Sequence, residues 1–113
     1  MEKYTIETSS KENTVRVKFT APLDPLEWNN LRLQMVRMLK QGFLKWLFVL
    51  DNLAVATSVD IGMWVSCNGT VSSYSGTLQF SVRPNSTVHK TLMFTKLDRI
   101  FSIILNTDGT AAV

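Results

Sequence analysis

The chain has 113 residues, 45% of them apolar, which is enough for one domain with a single core and too few for two. Its longest uninterrupted apolar run, Trp46 to Leu50, falls far short of the roughly 20 residues that span a bilayer. The N-terminus carries no apolar segment of the signal-peptide kind, so a cytoplasmic protein without direct membrane insertion is expected. The net charge of +3 is spread over single cations, among them Arg16, Lys18, Arg32, Arg37, Lys40, Lys90, Lys96 and Arg99. Nucleic acid is therefore not an expected partner, because it calls for a clustered basic stripe. The single Cys67 excludes an internal disulfide and a multi-cysteine metal site, and reads as a small core residue.

Val15, Val17 and Phe19 alternate with Arg16 and Lys18, which predicts a strand with its apolar side on a core. The preceding segment, Lys3 to Thr8, is expected to pair with it through a turn at Ser10 to Asn13. Asp24-Pro25-Leu26-Glu27 then supplies an N-cap, a proline at the first helical position and a glutamate in the first turn. Trp28, Leu31, Met35, Met38 and Leu39 lie close to one face of that helix, and Gly42 can end it in a left-handed conformation. Trp46 to Leu50 is apolar without alternation, as in a central strand covered on both sides. It should pair in parallel with its neighbour through a right-handed crossover.

Residues 60–75 are ambiguous by local preference. Asn68, Gly69, Thr70, Ser72 and Ser73 are poor helix formers, and Asn68-Gly69 is a favoured hairpin turn. Trp64, Cys67, Val71 and Tyr74 nevertheless fall at helical spacings of three and four, so propensity leaves helix and hairpin equally open. Leu78, Phe80 and Val82 alternate in a further strand, Val88 and Leu92 sit four apart on another helix, and Phe101 to Leu105 gives a last strand. The result is an α/β sandwich.

The stretch from Val88 to Ile103 resembles the helix, turn and strand that close a STAS domain, the fold of bacterial anti-sigma factor antagonists and related signalling modules. Val88, Leu92, Leu97, Asp98, Phe101 and Ile103 fall in register with that family's phrase. The resemblance implies a single STAS-like domain over residues 1–113, with a mixed, mostly parallel sheet of about five strands and helices packed mainly on one face. It also demands a helix in the ambiguous stretch.

STAS domains commonly show a strand ending in aspartate, a short loop, and Asp-Ser-Ser/Thr-Gly-Leu at the start of the second helix. In the antagonists the partner kinase phosphorylates the second hydroxyl residue of that motif. Here Phe48-Val49-Leu50-Asp51 is similar to the strand, and an ungapped register brings Gly62 onto the motif glycine and Met63 onto its leucine. Ile61 then stands at the phosphoacceptor position, Asp60 at the first serine and Val59 at the family aspartate. Placing Asp60 on the family aspartate instead lengthens the loop by one residue and shortens the motif by one. Neither register offers a hydroxyl at the acceptor, and isoleucine has no nucleophilic oxygen for phosphoryl transfer.

Asp60 is read as the N-cap of the second helix in preference to a mimic of phosphate, since one carboxylate carries less charge and fewer acceptor oxygens. Thr57, Ser58 and Ser66 are the nearby hydroxyls. Asp24 occupies the loop where the family often places an acidic residue near the phosphorylation site, although the family's preceding glycine is replaced by Thr20 and Ala21.

No enzyme is expected. The one histidine, His89, has no serine or cysteine nucleophile motif beside it, and no phosphate loop, metal-ligand spacing or paired-carboxylate motif appears. No cofactor is implied, although Asp51 and Asp60 both stand where a cleft at the carboxyl ends of parallel strands would place them. The expected function is a non-catalytic protein-interaction module of bacterial signal transduction and transcription regulation, not switched by phosphorylation at Ile61. Its contact surface would comprise Asp24, Thr57, Ser58, Asp60, Ile61, Gly62, Met63 and Trp64. The partners implied by the resemblance are an anti-sigma factor with serine kinase activity or another STAS signalling protein. The alternative is a ligand-sensing STAS domain or an accessory subunit of a membrane transport complex.

Overall fold

In a computed structural model, which describes residues 2–106, the chain runs β1 (Tyr4–Ser9), β2 (Thr14–Phe19), α1 (Pro25–Lys40), β3 (Lys45–Val49), α2 (Ser58–Ser73), β4 (Thr77–Val82), α3 (Thr87–Phe94) and β5 (Ser102–Leu105). A short 3-10 turn, Leu97–Arg99, links α3 to β5. The strands form one sheet in chain order, with β1 antiparallel to β2 and every later pair parallel. Each parallel crossover advances the sheet in the same direction. Right-handed crossovers of that kind place all three helices on one face, and Val88 and Leu92 of α3 share a core cluster with residues of α1 and α2.

The alternation in the strands decides which side that core takes. Val15, Val17, Phe19, Trp46, Phe48, Leu78, Phe80 and Val82 are all buried under the helices. The parallel register sets Val17 beside Phe48 and Phe48 beside Phe80. A row of aromatic contacts then crosses the sheet, with ring centroids 5.1 Å apart for Phe19 and Phe48, 5.5 Å for Phe48 and Phe80, and 4.3 Å for Phe80 and Phe101. No described helix lies on the opposite face. There Glu7 bridges Arg16 and Lys18 at 3.5 and 3.3 Å, and Leu47 is only half-buried. The expectation that β3 is covered on both sides is thus corrected, since its apolar run is buried under the helices on one face and only in part on the other.

Helix α1 begins as its sequence directs. The Asp24 carboxylate accepts the Glu27 N–H at 2.8 Å, and Glu27 Oε1 accepts the Asp24 N–H at 2.9 Å, a reciprocal capping box. Lys3 Nζ adds a contact to the same glutamate oxygen at 2.9 Å. Together these bonds hold the Glu27 carboxyl below its ordinary range, chiefly through the Asp24 N–H. Trp28, Leu31, Met35 and Leu39 are buried, and Gly42 follows the helix at φ 97°, a left-handed conformation that its missing Cβ allows. The ambiguous stretch is helix α2, with Trp64, Cys67 and Val71 buried on one stripe. Burial of that stripe outweighs the poor propensities of Asn68, Gly69 and the serines, which sit on the outer side or at the helix end.

Candidate functional site

Helix α2 starts earlier than its sequence led us to expect, and that moves the role of Asp60. The N-cap is Thr57, whose Oγ1 accepts the Asp60 N–H at 3.1 Å. Asp60 is therefore not the cap. It is the third residue of the helix, 1% exposed, with its carboxylate turned inward. One oxygen, Oδ2, accepts the Thr57 hydroxyl at 2.8 Å. The other, Oδ1, accepts the backbone N–H of Leu23 at 3.2 Å and the indole N–H of Trp28 at 2.9 Å. Three donors satisfy a carboxylate that burial would otherwise penalise heavily. The physical reason for the shift is that Thr57, being three residues ahead, fits the reciprocal spacing, while the longer reach of Asp60 is used to grip the loop between β2 and α1.

That grip brings two helix N-termini side by side at the carboxyl ends of β2 and β3. Asp24 is exposed beside Leu23, and Leu26 of the first turn of α1 is 69% exposed. On α2, Ser58 and Gly62 are exposed, Thr57 is half-buried, and a Cβ placed on Gly62 would meet nothing within 4 Å. Ile61 and Met63 are half-buried and pack partly against the core. Trp64 is 1% exposed and lies over Phe80 at 6.2 Å, so it is a core residue and offers no surface anchor. Of the eight residues expected to form a contact surface, Asp60 and Trp64 are buried and the other six reach solvent to differing degrees. Val55 and Val59, 48% and 42% exposed, adjoin them and were not among the expected residues. Their signal was available, because both flank a helix start without falling on its buried stripe.

Asp51 and Asp60 do not converge on a cleft. Asp51 accepts the Ser81 hydroxyl at 2.7 Å and the Asn106 side-chain amide at 2.6 Å, on the side of the sheet away from the helices. This cluster ties the ends of β3, β4 and β5 together, and its two partners lie too far along the chain to be read locally. His89 is committed to its own loop, its Nδ1 accepting the Asn85 N–H at 2.9 Å. Among the described residues no three His, Cys, Asp or Glu side chains group as metal ligands would. Ser66, on the third turn of α2, is half-buried. A groove of about 480 Å³ opens on the bare face of the sheet, with Glu7, Arg16, Lys45, Leu47, Gln79 and Ile104 in its lining.

Comparison with solved structures places this architecture. A Thermotoga maritima protein described as a candidate anti-sigma factor antagonist superposes with a TM-score of 0.70 at 22% identity, covering 93% of this chain and 87% of that one. An anti-sigma factor antagonist from Mycobacterium paratuberculosis gives 0.71 at 14% identity, over 93% and 86%. The Bacillus cell fate determinant SpoIIAA in its phosphorylated form gives 0.70 at 17% identity, over 93% and 92%. The fold is the STAS fold, as the closing helix, turn and strand imply. No family model matches the sequence, and no curated protein matches it. Among the described residues no helix is long and apolar enough to cross a membrane.

Proposed function

We propose that the chain is a non-catalytic protein-interaction module of the anti-sigma factor antagonist type, docking through the paired starts of α1 and α2. The fold it shares with proteins described as antagonists supports the general role. The observation that carries the reading is the buried Asp60 carboxylate, which fastens the first turn of α2 to the loop before α1 and makes one fixed surface from two segments. Asp24, Ser58 and Gly62 supply its polar and open positions, and Ile61 and Met63, with Val55 and Val59 beside them, supply apolar area. The partner is an anti-sigma factor with serine kinase activity or another STAS signalling protein. Because Ile61 has no oxygen to esterify, binding is not switched by phosphorylation at that position.

The test is calorimetric titration of the chain with the kinase-type anti-sigma factor of its own organism, with and without ATP. Binding that persists with ATP, and no phosphate on the chain by mass spectrometry, is the expected result. Absence of binding, or stoichiometric phosphate at Thr57, Ser58 or Ser66, would reject the reading.

The groove on the bare sheet face favours a second reading, a ligand-sensing domain or an accessory subunit of a transport complex. A ligand present at 100 times its dissociation constant stabilises the fold by about 2.7 kcal/mol. A thermal-shift screen over nucleotides and lipids that stays flat removes that alternative.

A further inference from the structure

The end of α3 carries an apolar projection that the proposed contact surface does not use. Phe94 is 90% exposed, Ile100 60% and Met93 50%. A ring exposed to that degree has almost no protein atoms against it, so it stands out from the surface and lines no groove. Lys90, one helical turn before Phe94, shares its side of α3, and Lys96 and Arg99 follow within the next five residues. All three cations are exposed, and none pairs with a carboxylate among the described residues. One acidic residue, Asp98, lies in the same segment.

The segment is also held in shape. Lys96 has a left-handed backbone at φ 62°, its N–H donates to Met93 O at 3.1 Å, and the Phe101 N–H donates to Leu97 O at 2.8 Å. Leu97 is half-buried against the core and Phe101 is 4% exposed. The turn is thus pinned from within by Leu97 and Phe101, while Met93, Phe94, Lys96, Arg99 and Ile100 stay exposed together with Thr95 and Asp98.

We propose that this projection is a docking surface for an anionic phospholipid membrane, on which the chain sits peripherally. Protruding Phe, Met and Ile side chains enter the boundary between headgroups and acyl chains, and neighbouring Lys and Arg reach the phosphates. Charge complementarity selects this occupant, since three unpaired cations face outward against a single carboxylate. Topology leaves the proposed protein-contact surface free at the same time. The starts of α1 and α2 follow the carboxyl ends of β2 and β3, whereas the end of α3 precedes the amino end of β5, and these strands are parallel. The two surfaces therefore lie at opposite ends of the sheet.

The experiment is sedimentation of the whole chain with vesicles of phosphatidylcholine alone and of phosphatidylcholine mixed equally with phosphatidylglycerol. Binding to the mixed vesicles alone, weakened by added salt, is expected. Lys96→Gln should weaken it about fivefold, the equivalent of about 1 kcal/mol per cation near an anionic surface. The double variant Met93→Ser, Phe94→Ser should abolish it while its melting temperature and far-ultraviolet spectrum stay those of the parent. Equal or absent binding to the two vesicle types, or full binding by the double variant, overturns the proposal. So does a wild-type dimer that the double variant turns into a monomer, which would make the patch an interface between copies. Binding of an acidic amphipathic peptide through Phe94 with no response to vesicles would likewise overturn it, in favour of a protein partner.

Discussion

The indole N–H of Trp28 donates to Asp60 Oδ1 at 2.9 Å, and both residues are 1% exposed, so a buried bond joins α1 to α2 beneath the surface proposed for docking. Removing the carboxylate orphans the donors of Trp28, Leu23 and Thr57 at once. A buried unsatisfied donor costs about 1–3 kcal/mol, so Asp60→Ala should lower unfolding free energy by about 2–4 kcal/mol. Asp60→Asn keeps the Oδ1 acceptor for Trp28 and Leu23 and loses only the Thr57 bond, at about 1 kcal/mol. Urea unfolding of the two variants separates these figures. Two equal losses would mean that the hydrogen bonds to Oδ1 matter little.

Trp64 presents the reverse situation. Its indole Nε1 is buried with no hydrogen-bond partner among the described residues. Trp64→Phe removes that unsatisfied donor while keeping an aromatic ring against Phe80, so the desolvation gain offsets the lost volume. The variant should change stability by less than about 1 kcal/mol in either direction, against about 3–5 kcal/mol for Trp64→Ala. Denaturant midpoints decide it, and a large loss in Trp64→Phe would point to an acceptor for the indole N–H.

Much of the fold was legible because its signals are periodic and local. The two-residue alternation of Val15, Val17 and Phe19 and the helical stripe from Trp28 to Leu39 depend only on neighbours a few positions away. The role of Asp60 was not legible, because its partners Leu23 and Trp28 are 37 and 32 residues distant. The start of α2 was within reach, since Thr57-Ser58-Val59-Asp60 has the Ser/Thr-x-x-Asp/Glu spacing of a helix start. The burial of Trp64 was also within reach, because the spacing that joins it to Cys67 and Val71 and argues for a helix equally argues for the core. What obscured α2 was its composition, in which Gly69 and several serines on the outer side or near the end weaken the local signal, while packing of the stripe Trp64, Cys67 and Val71 decides the outcome.

The glycines of α2 and the turn after it should respond oppositely to alanine. A Cβ on Gly69 meets nothing within 4 Å, so Gly69→Ala removes chain entropy from the unfolded state and should stabilise by about 0.5–1 kcal/mol. A Cβ on Gly76 would stand 2.6 Å from Leu44 O and 2.9 Å from Val71 Cγ1. The carbonyl belongs to backbone that accepts the Thr77 N–H at 2.7 Å and has little room to yield. Gly76→Ala should therefore destabilise by about 1–3 kcal/mol. Melting temperatures moving in the same direction for both would refute the steric account.

Cys67 gives the fold a dependence on alkaline pH. Burial pushes its thiol from an ordinary value of 9.0 up to about 12, with Arg32 opposing weakly. The folded chain keeps the proton while the unfolded chain releases it. The stability this supplies is whole below pH 9 and is lost as pH rises toward 12, at about 1.4 kcal/mol per pH unit. Cys67→Ala removes the titrating group, so the difference in unfolding free energy between parent and variant should shrink steadily above pH 9. The same burial keeps the reactive thiolate scarce at neutral pH. Iodoacetamide should label Cys67 only at the rate at which the chain opens, and rapid labelling of the folded chain would show that the inner face of α2 is not packed against the core.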